Sequence, residues 1–268
     1  MAYLELGPSD GLSFEYDPPA HDRPTLVFVN ALTGHTGVWQ AVVAPRCRAA
    51  GLGTLCWNFR GQQDSPFAPG TVLDAALITE DLRRLVTHVA PPRPLPVGLS
   101  IGGLYAARAV LAGMPAERLV LLNTLRRIGP RIAWINDAML AAVKTGGFPL
   151  LLDMVLPLLT NQDFQAANRA KFLTGAPYVP QDPDHGHVRL MEAAGGTDWD
   201  LPYESLTLPV LTITGLQDRL FLDLPVVEEL RGRLPDARHL TWEDAGHLLP
   251  QEHPERLADA LIAFAGEA

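Results

Sequence analysis

Hydrophobic positions along this chain follow two rhythms, short unbroken apolar runs and longer runs with a helical period. Thr25 to Asn30 (TLVFVN), Gly53 to Asn58 (GTLCWN), Leu95 to Leu99 and Arg118 to Asn123 (RLVLLN) are apolar runs rich in β-type residues. Such runs predict strands covered on both faces. Pro209 to Gly215 (PVLTITG) and Arg238 to Glu243 (RHLTWE) extend the series. Between the strands the period changes. Trp39 to Ala50 predicts a helix closed by Gly51, a residue suited to the left-handed position after a helix end. Thr71 to Val89 carries Ile78, Leu82, Leu85, Val86 and Val89 on one helical face, with Thr71 and Asp74 spaced as a capping box. Ile101 to Leu111 reads as an Ala-rich helix ending at Gly113, and another helix lies around Leu224 to Arg233. The last helix starts at Pro254, with Leu257, Leu261, Phe264 and Ala265 as its inward stripe. Strands and helices alternating in this way predict an α/β fold, a mostly parallel central sheet flanked by helices on both faces.

The stretch from Thr124 to Leu208 breaks the alternation. It is helical and loop-like, contains Trp134, Phe148, Met154, Phe164, Phe172 and Tyr178, and holds no convincing strand. It reads as a helical cap inserted between two sheet strands, so that residues 1–123 and 209–268 form the core and 124–208 the cap.

Composition narrows the class. With 268 residues, 47% hydrophobic and 19% charged, the chain buries a large core without needing a disulfide or metal. Its 21 Lys+Arg against 30 Asp+Glu give a formal charge of −9, which repels nucleic acid and anionic membranes, and no basic run offsets it. Cys47 and Cys56 are too few for a disulfide framework or a thiolate zinc cluster. The first residues lack the basic and apolar regions of a secretion signal, and no uninterrupted apolar stretch reaches the roughly 18 residues of a membrane span. A soluble, cytoplasmic protein is expected, with monomer and homodimer both open. No glycine fingerprint for dinucleotides or phosphates occurs, so no cofactor is expected. Asp182, Asp184, His185 and His187 have metal-ligand chemistry, but in a Pro/Gly-rich loop they read as solvated, and no metal is expected. His35 is a candidate for a pocket mouth or a plain surface residue.

The chemistry centres on Gly98-Leu99-Ser100-Ile101-Gly102-Gly103, where a predicted strand turns directly into a predicted helix. This context is what a nucleophile elbow requires: the sharp turn lifts the serine hydroxyl above the sheet, and flanking glycines allow close approach of neighbouring backbone. The helix that follows aims its free amides at the reacting oxygen. A serine hydroxyl needs a base. His247, in DAGHL, lies between the last strand and the last helix, on the same sheet edge as Ser100. Asp218, in TGLQD, follows another strand's carboxyl end and supplies the acid that fixes the imidazole tautomer. His253 and Asp223 are the neighbouring competitors; Asn123, also at a strand end, carries no carboxylate. The loop Asn30-Ala31-Leu32-Thr33-Gly34 offers a backbone N–H, that of Leu32, as one oxyanion donor, and Ile101 offers the other.

These residues, in the chain order Ser100, Asp218, His247, resemble the α/β-hydrolase superfamily. Over most of its length the chain is similar to the 3-oxoadipate enol-lactone hydrolases. The similarity is carried by FVNALTGHTGVW, FRGQQDS, GLSIGG, LLNTLRRIGPRIAW, GLQD and AGHLLPQEHPE. The resemblance implies the α/β-hydrolase fold with an inserted helical cap and hydrolysis of a small carboxylic ester or lactone through an acyl-enzyme. It implies Arg127 and Trp134 at the cap opening as substrate contacts, the arginine for a carboxylate and the tryptophan for an apolar portion. Arg126 and Arg131 are neighbours able to share that role. Many relatives carry Arg-Gly-His-Gly-x-Ser where this chain has Arg60-Gly61-Gln62-Gln63-Asp64-Ser65, a segment expected to support the rim of the site. The alternatives are a general carboxylesterase; then acyl transfer, carbon–carbon hydrolysis or perhydrolysis; and, outside enzymes, a hydrolase-like binding protein without catalysis.

Overall fold

Eight strands form one twisted sheet, in a computed structural model that describes residues 1–267. The strands are β1 (Ala2–Gly7), β2 (Asp10–Asp17), β3 (Thr25–Val29), β4 (Gly53–Trp57), β5 (Pro94–Leu99), β6 (Leu119–Leu122), β7 (Val210–Gly215) and β8 (Ala237–Trp242). Their order is β1-β2-β4-β3-β5-β6-β7-β8. From β4 to β8 every pairing is parallel, while β2 runs against both β1 and β4, with Phe14 opposite Trp57. The six parallel strands fall on the six segments expected to be strands, the last of them, β8, being exposed or half-buried over most of its length.

Helices cover both faces, and β3 shows how. Its Val27 and Val29 pack toward α3 (Ala75–Val89) and α4 (Ile101–Leu111), whereas Leu26 and Phe28 pack toward α2 (Val43–Ala49) and α10 (Pro254–Ala265). The short α1 (Gly37–Gln40) precedes α2, α8 (Leu224–Arg233) lies between β7 and β8, and α9 (Leu249–Glu252) precedes α10. Leu257, Leu261, Phe264 and Ala265 of α10 are all buried.

The segment between β6 and β7 contains α5 (Pro130–Leu159), α6 (Gln162–Asn168) and α7 (Gly186–Ala194), and no strand among the described residues. By length and composition α5 is apolar enough to cross a bilayer. It is, however, two helices joined at Gly147, which has φ +73, and Pro149 follows at once. A cluster of Val143, Leu151, Val155, Leu159, Val188, Met191 and Leu220 joins α5 and α7 to the loop after β7.

Two local expectations are corrected, and one element carries no sequence signal. In the hairpin β1–β2, β1 is an edge strand whose residues are exposed or half-buried, so it lacks the unbroken apolar signature. The helix expected from Trp39 to Ala50 is split into α1 and α2, because Val42 departs from helical geometry (φ −144°, ψ −47°) and Trp39 is anchored by its indole N–H to Asn30 Oδ1 at 2.8 Å. No capping box forms at Thr71: α3 begins at Ala75, and Asp74 itself is the cap, accepting the Leu77 N–H at 2.8 Å.

Candidate active site

The carboxyl ends of β3, β4, β5, β7 and β8 all open on one edge of the sheet, where a crevice is expected in an open parallel sheet. At the end of β5 the chain reverses through Ser100, whose φ and ψ of +58° and −123° are strained for a residue with a Cβ. Neighbours hold the strain in place. The Ser100 N–H donates to Leu122 O at 2.7 Å, and Thr124 Oγ1 donates to Ser100 O at 3.1 Å. The flanking glycines are sterically required. A Cβ at Gly98 would sit 2.4 Å from Gly102 O, and one at Gly102 would sit 2.3 Å from Asn30 O. Both obstacles are backbone, which cannot step aside.

Ser100 and His247 line the same cavity, of about 390 Å³. His247 Nδ1–H donates to Asp218 Oδ2 at 2.7 Å, and both side chains are about 95% buried. Asp218 Oδ1 accepts the Leu220 and Phe221 N–H groups at 3.1 and 2.9 Å, so the carboxyl group is held in place. With its Nδ1 committed to Asp218, the imidazole is left with Nε2 as its free proton acceptor. The ring of Phe221 lies 5.0 Å from that of His247. His253, by contrast, reaches back to Asp244 O at 3.0 Å, and Asp223 caps α8.

The loop carrying His247 is tied down from three sides. Its own N–H donates to Leu159 O at 2.6 Å. Asn123 Nδ2 donates to the carbonyls of Gly246 and His247 at 3.0 and 2.9 Å, while Asn123 Oδ1 accepts the Gly215 N–H at 2.8 Å. Glu252 accepts the N–H groups of Gly246 and Leu248, which flank the histidine, each at 2.8 Å. Asn123 therefore joins the ends of β6 and β7 to the base.

Leu32 and Ile101 also line the cavity, and among the described residues neither backbone N–H has an acceptor. Ile101 is the first residue of α4, where no intrahelical acceptor exists. Two free amides beside a serine hydroxyl are what a developing oxyanion requires.

Beneath this loop lies a residue whose part in the site its sequence did not announce. Gln62, where the family resemblance leads one to expect histidine, is completely buried. Its Nε2 donates to Ala31 O and Leu32 O, both at 3.0 Å. Its Oε1 accepts from Asn30 Nδ2 at 2.9 Å and from the Phe59 N–H at 3.1 Å. Rather than shaping an outer rim, the segment after β4 underlies the loop 30–34. Arg60, just before it, is buried in a two-pronged ion pair with Asp81, both contacts 2.8 Å, and meets Asp10 at 3.0 Å.

The cavity wall is mainly aliphatic and aromatic, with α5 contributing Ile132, Asn136 and Met139 from one helical face. His35 lines it as well. Among the described residues no Lys, Arg, Asp or Glu side chain lines the wall.

The expected substrate contacts of Arg127 and Trp134 are corrected. Neither reaches the cavity. Arg127 lies at the surface in a bidentate pair with Glu229 at 2.8 and 2.9 Å. Trp134 is 79% exposed, two residues from Ile132 and from Asn136 and so on the opposite side of α5. Arg126 is buried against the Tyr203 ring and pairs with Asp200, and Arg131 donates to the carbonyls of Leu220 and Leu222, both at 2.7 Å. All three arginines are occupied elsewhere.

His185 and His187 do not form a metal cluster, and no such group of donors occurs among the described residues. The His187 N–H donates to His185 Nδ1 at 3.2 Å. Burial, with His185 and His35 nearby, pushes the His187 imidazole down to about 4.

Sequence and structure comparisons relate the chain to known proteins. The chain is 25% identical over 255 residues to 3-oxoadipate enol-lactonase 2 of Acinetobacter baylyi, covering 90% of this chain and 88% of that protein. It is 26% identical over 199 residues to the pimeloyl-acyl-carrier-protein methyl ester esterase of Pectobacterium atrosepticum, covering 69% and 75%. The fold matches an alpha/beta hydrolase enzyme from a Medee basin deep-sea metagenome library with a TM-score of 0.86 at 19% identity, covering 100% of this chain and 98% of that one. It matches the enol-lactonase of Burkholderia xenovorans at 0.82 and 23% identity, covering 99% and 100%. The profile of the alpha/beta hydrolase family matches residues 26–260. With that match spanning the six parallel strands and the segment between β6 and β7, the chain belongs to the α/β hydrolase family.

Proposed function

We propose that this protein hydrolyses small, uncharged carboxylic esters or lactones through an acyl-enzyme on Ser100. The observation carrying this reading is the buried His247–Asp218 pair opening on the cavity that Ser100 also lines. As Ser100 Oγ bonds to the acyl carbon, His247 Nε2 takes the hydroxyl proton, and the carbonyl oxygen becomes an oxyanion held by the Leu32 and Ile101 amides. Collapse of the tetrahedral intermediate breaks the bond to the leaving oxygen, which receives the proton from His247. Water then loses a proton to His247, attacks the acyl carbon, and releases the acid while the proton returns to Ser100 Oγ. Asp218 keeps its negative charge throughout and stabilises the imidazolium as it forms.

The uncharged substrate follows from the wall. A carboxylate drawn into an apolar cavity needs a cation or several hydrogen bonds to replace its hydration. The arginines expected to supply one are engaged outside the cavity. A carboxylate-bearing enol-lactone is the second reading, favoured by the sequence relative of that name and open to the same covalent chemistry.

The test is a turnover panel of neutral short-chain esters, neutral lactones and a carboxylate-bearing enol-lactone, together with fluorophosphonate labelling. Labelling of the parent and its loss in Ser100→Ala are expected, with kcat/KM for neutral substrates at least about tenfold above the acidic one. An unlabelled parent refutes the hydrolase reading. Preference for the acidic lactone refutes the uncharged-substrate part alone.

A further inference from the structure

We infer that Gln62 is a positioning residue of the reaction: it locks the peptide plane that presents the Leu32 N–H to the oxyanion. The inference rests on the hydrolase reading above and adds to it a residue that touches no substrate.

The argument begins with one peptide group. Ala31 O and the Leu32 N–H belong to the same planar unit and point in opposite directions. Whatever holds the carbonyl fixes the direction of the amide. Gln62 Nε2 donates to that carbonyl at 3.0 Å and, with its second hydrogen, to the next one, Leu32 O, also at 3.0 Å. Ala31 O also accepts the Gly34 N–H at 2.9 Å, so Gln62 shares that carbonyl with the loop's own turn and adds a hold on Leu32 O, while the Leu32 N–H is free of any acceptor among the described residues. A rotation of this peptide would withdraw the donor from the cavity, and it would break a buried hydrogen bond. Donation to the carbonyl also polarises the peptide, which strengthens its N–H as a donor.

The side chain is fully committed. Gln62 Oε1 accepts from Asn30 Nδ2 at 2.9 Å and from Phe59 N–H at 3.1 Å. Both amide hydrogens and both carbonyl lone pairs are therefore used. The reversed amide would set its oxygen against two carbonyl oxygens, so the orientation is unambiguous. Asn30 extends the network to Trp57 O at 2.9 Å and to the Trp39 indole at 2.8 Å, which ties the loop to β4 and α1. A neutral imidazole offers one donor and one acceptor and cannot make all four contacts. A glutamine at this position gives the loop a lock that does not titrate.

The test separates positioning from plain stability. Parent, Gln62→Met, Gln62→His and the exposed-site control Gln63→Gly are compared by kcat per active site titrated with a fluorophosphonate, by KM, by inhibition with an alkylboronic acid, and by melting temperature. The boronate forms a tetrahedral adduct on serine and reports oxyanion stabilisation directly. Gln62→Met is expected to lower kcat about 10- to 100-fold, to leave KM within about threefold, and to weaken boronate inhibition by the same factor as kcat. Gln62→His recovers part of both losses; Gln63→Gly changes neither. A Gln62→Met protein that melts early but keeps its kcat per titrated site and its boronate affinity overturns the inference. Should Gln62→Met fail to fold, Gln62→His decides by the same two readouts, parental values overturning the inference. A parent that neither labels nor turns over refutes the hydrolase reading instead, so the two failures are distinct.

Discussion

Glu252→Gln changes one atom and tests how the base is held. Glu252 is the last residue of α9, and its carboxylate accepts three backbone N–H groups: Asn161 and Gly246 at Oε2, 2.7 and 2.8 Å, and Leu248 at Oε1, 2.8 Å. Two of those donors immediately flank His247. A glutamine has one oxygen, so whichever way it turns, its NH2 faces a backbone N–H and at least one hydrogen bond becomes a donor–donor contact. Hydrogen bonds to a charged acceptor contribute about 1.5–3 kcal/mol each, and the contacts that survive lose the charge. The expected destabilisation is about 2–4 kcal/mol, or a melting temperature lower by roughly 5–12 °C in a chain of this size. Because the loop relaxes around His247, kcat per titrated site should also fall, by about tenfold, with little change in KM. Circular-dichroism melts and pre-steady-state acylation with an activated neutral ester measure both. A variant melting within about 1 °C of the parent, with acylation unchanged, would refute the claim that this carboxylate positions the base.

Three further outcomes are expected. In His187 the imidazole is held near 4 in the fold against 6.5 in an ordinary setting, so the unfolded chain binds the proton first; its contribution is complete above pH 6.5 and is lost as pH falls from 6.5 toward 4. That loss amounts to about 3 kcal/mol, and urea midpoints of parent and His187→Gln measured between pH 7.5 and 4 should show the acid limb shallower in the variant. Arg127→Ala should leave the ratio of acidic to neutral ester turnover unchanged, because the guanidinium is paired with Glu229 at the surface; Asn136→Arg, placing a cation on the cavity wall, should raise that ratio about tenfold, and kinetics on paired substrates check both. Asp81→Asn leaves Arg60 buried with half its charge partners gone, which should cost about 3–5 kcal/mol in equilibrium unfolding.

What the sequence made legible, and what it hid, divides along a physical line. A strand buried on both faces needs apolar residues at every position, so β3 to β7 announce themselves in the one-dimensional pattern. The elbow is legible for a related reason, since Gly98 and Gly102 meet backbone at 2.4 and 2.3 Å and tolerate no substitute. The strand-end rule then places Asp218 and His247, because residues just past the carboxyl ends of parallel strands share one edge. The hairpin β1–β2 is hidden because its outer strand is exposed or half-buried. The cap residues went astray for want of a helical phase: Arg127 and Trp134 lie in the right segment, but the face of α5 turned inward carries Ile132, Asn136 and Met139. Only contact with the sheet edge fixes that phase.

Gln62 marks the boundary of what such rules reach. It too follows a strand's carboxyl end, that of β4, so the same placement argument puts it at the site. Its partners Asn30, Ala31 and Leu32 are about thirty residues away in sequence; Asn30 meets it through a side-chain amide, but Ala31 and Leu32 do so through backbone carbonyls, groups that every residue carries and no motif advertises. Residues that act on bond-making atoms must have particular side chains and leave a signature. A residue that acts by holding a peptide plane needs only the right number of donors and acceptors in the right place. Its replacement of histidine therefore looks in one dimension like the loss of a motif, whereas in three dimensions it satisfies four hydrogen bonds beneath an oxyanion loop. Departures from a family pattern at strand ends are, for this reason, better read as changes in how the site is supported than as damage to it.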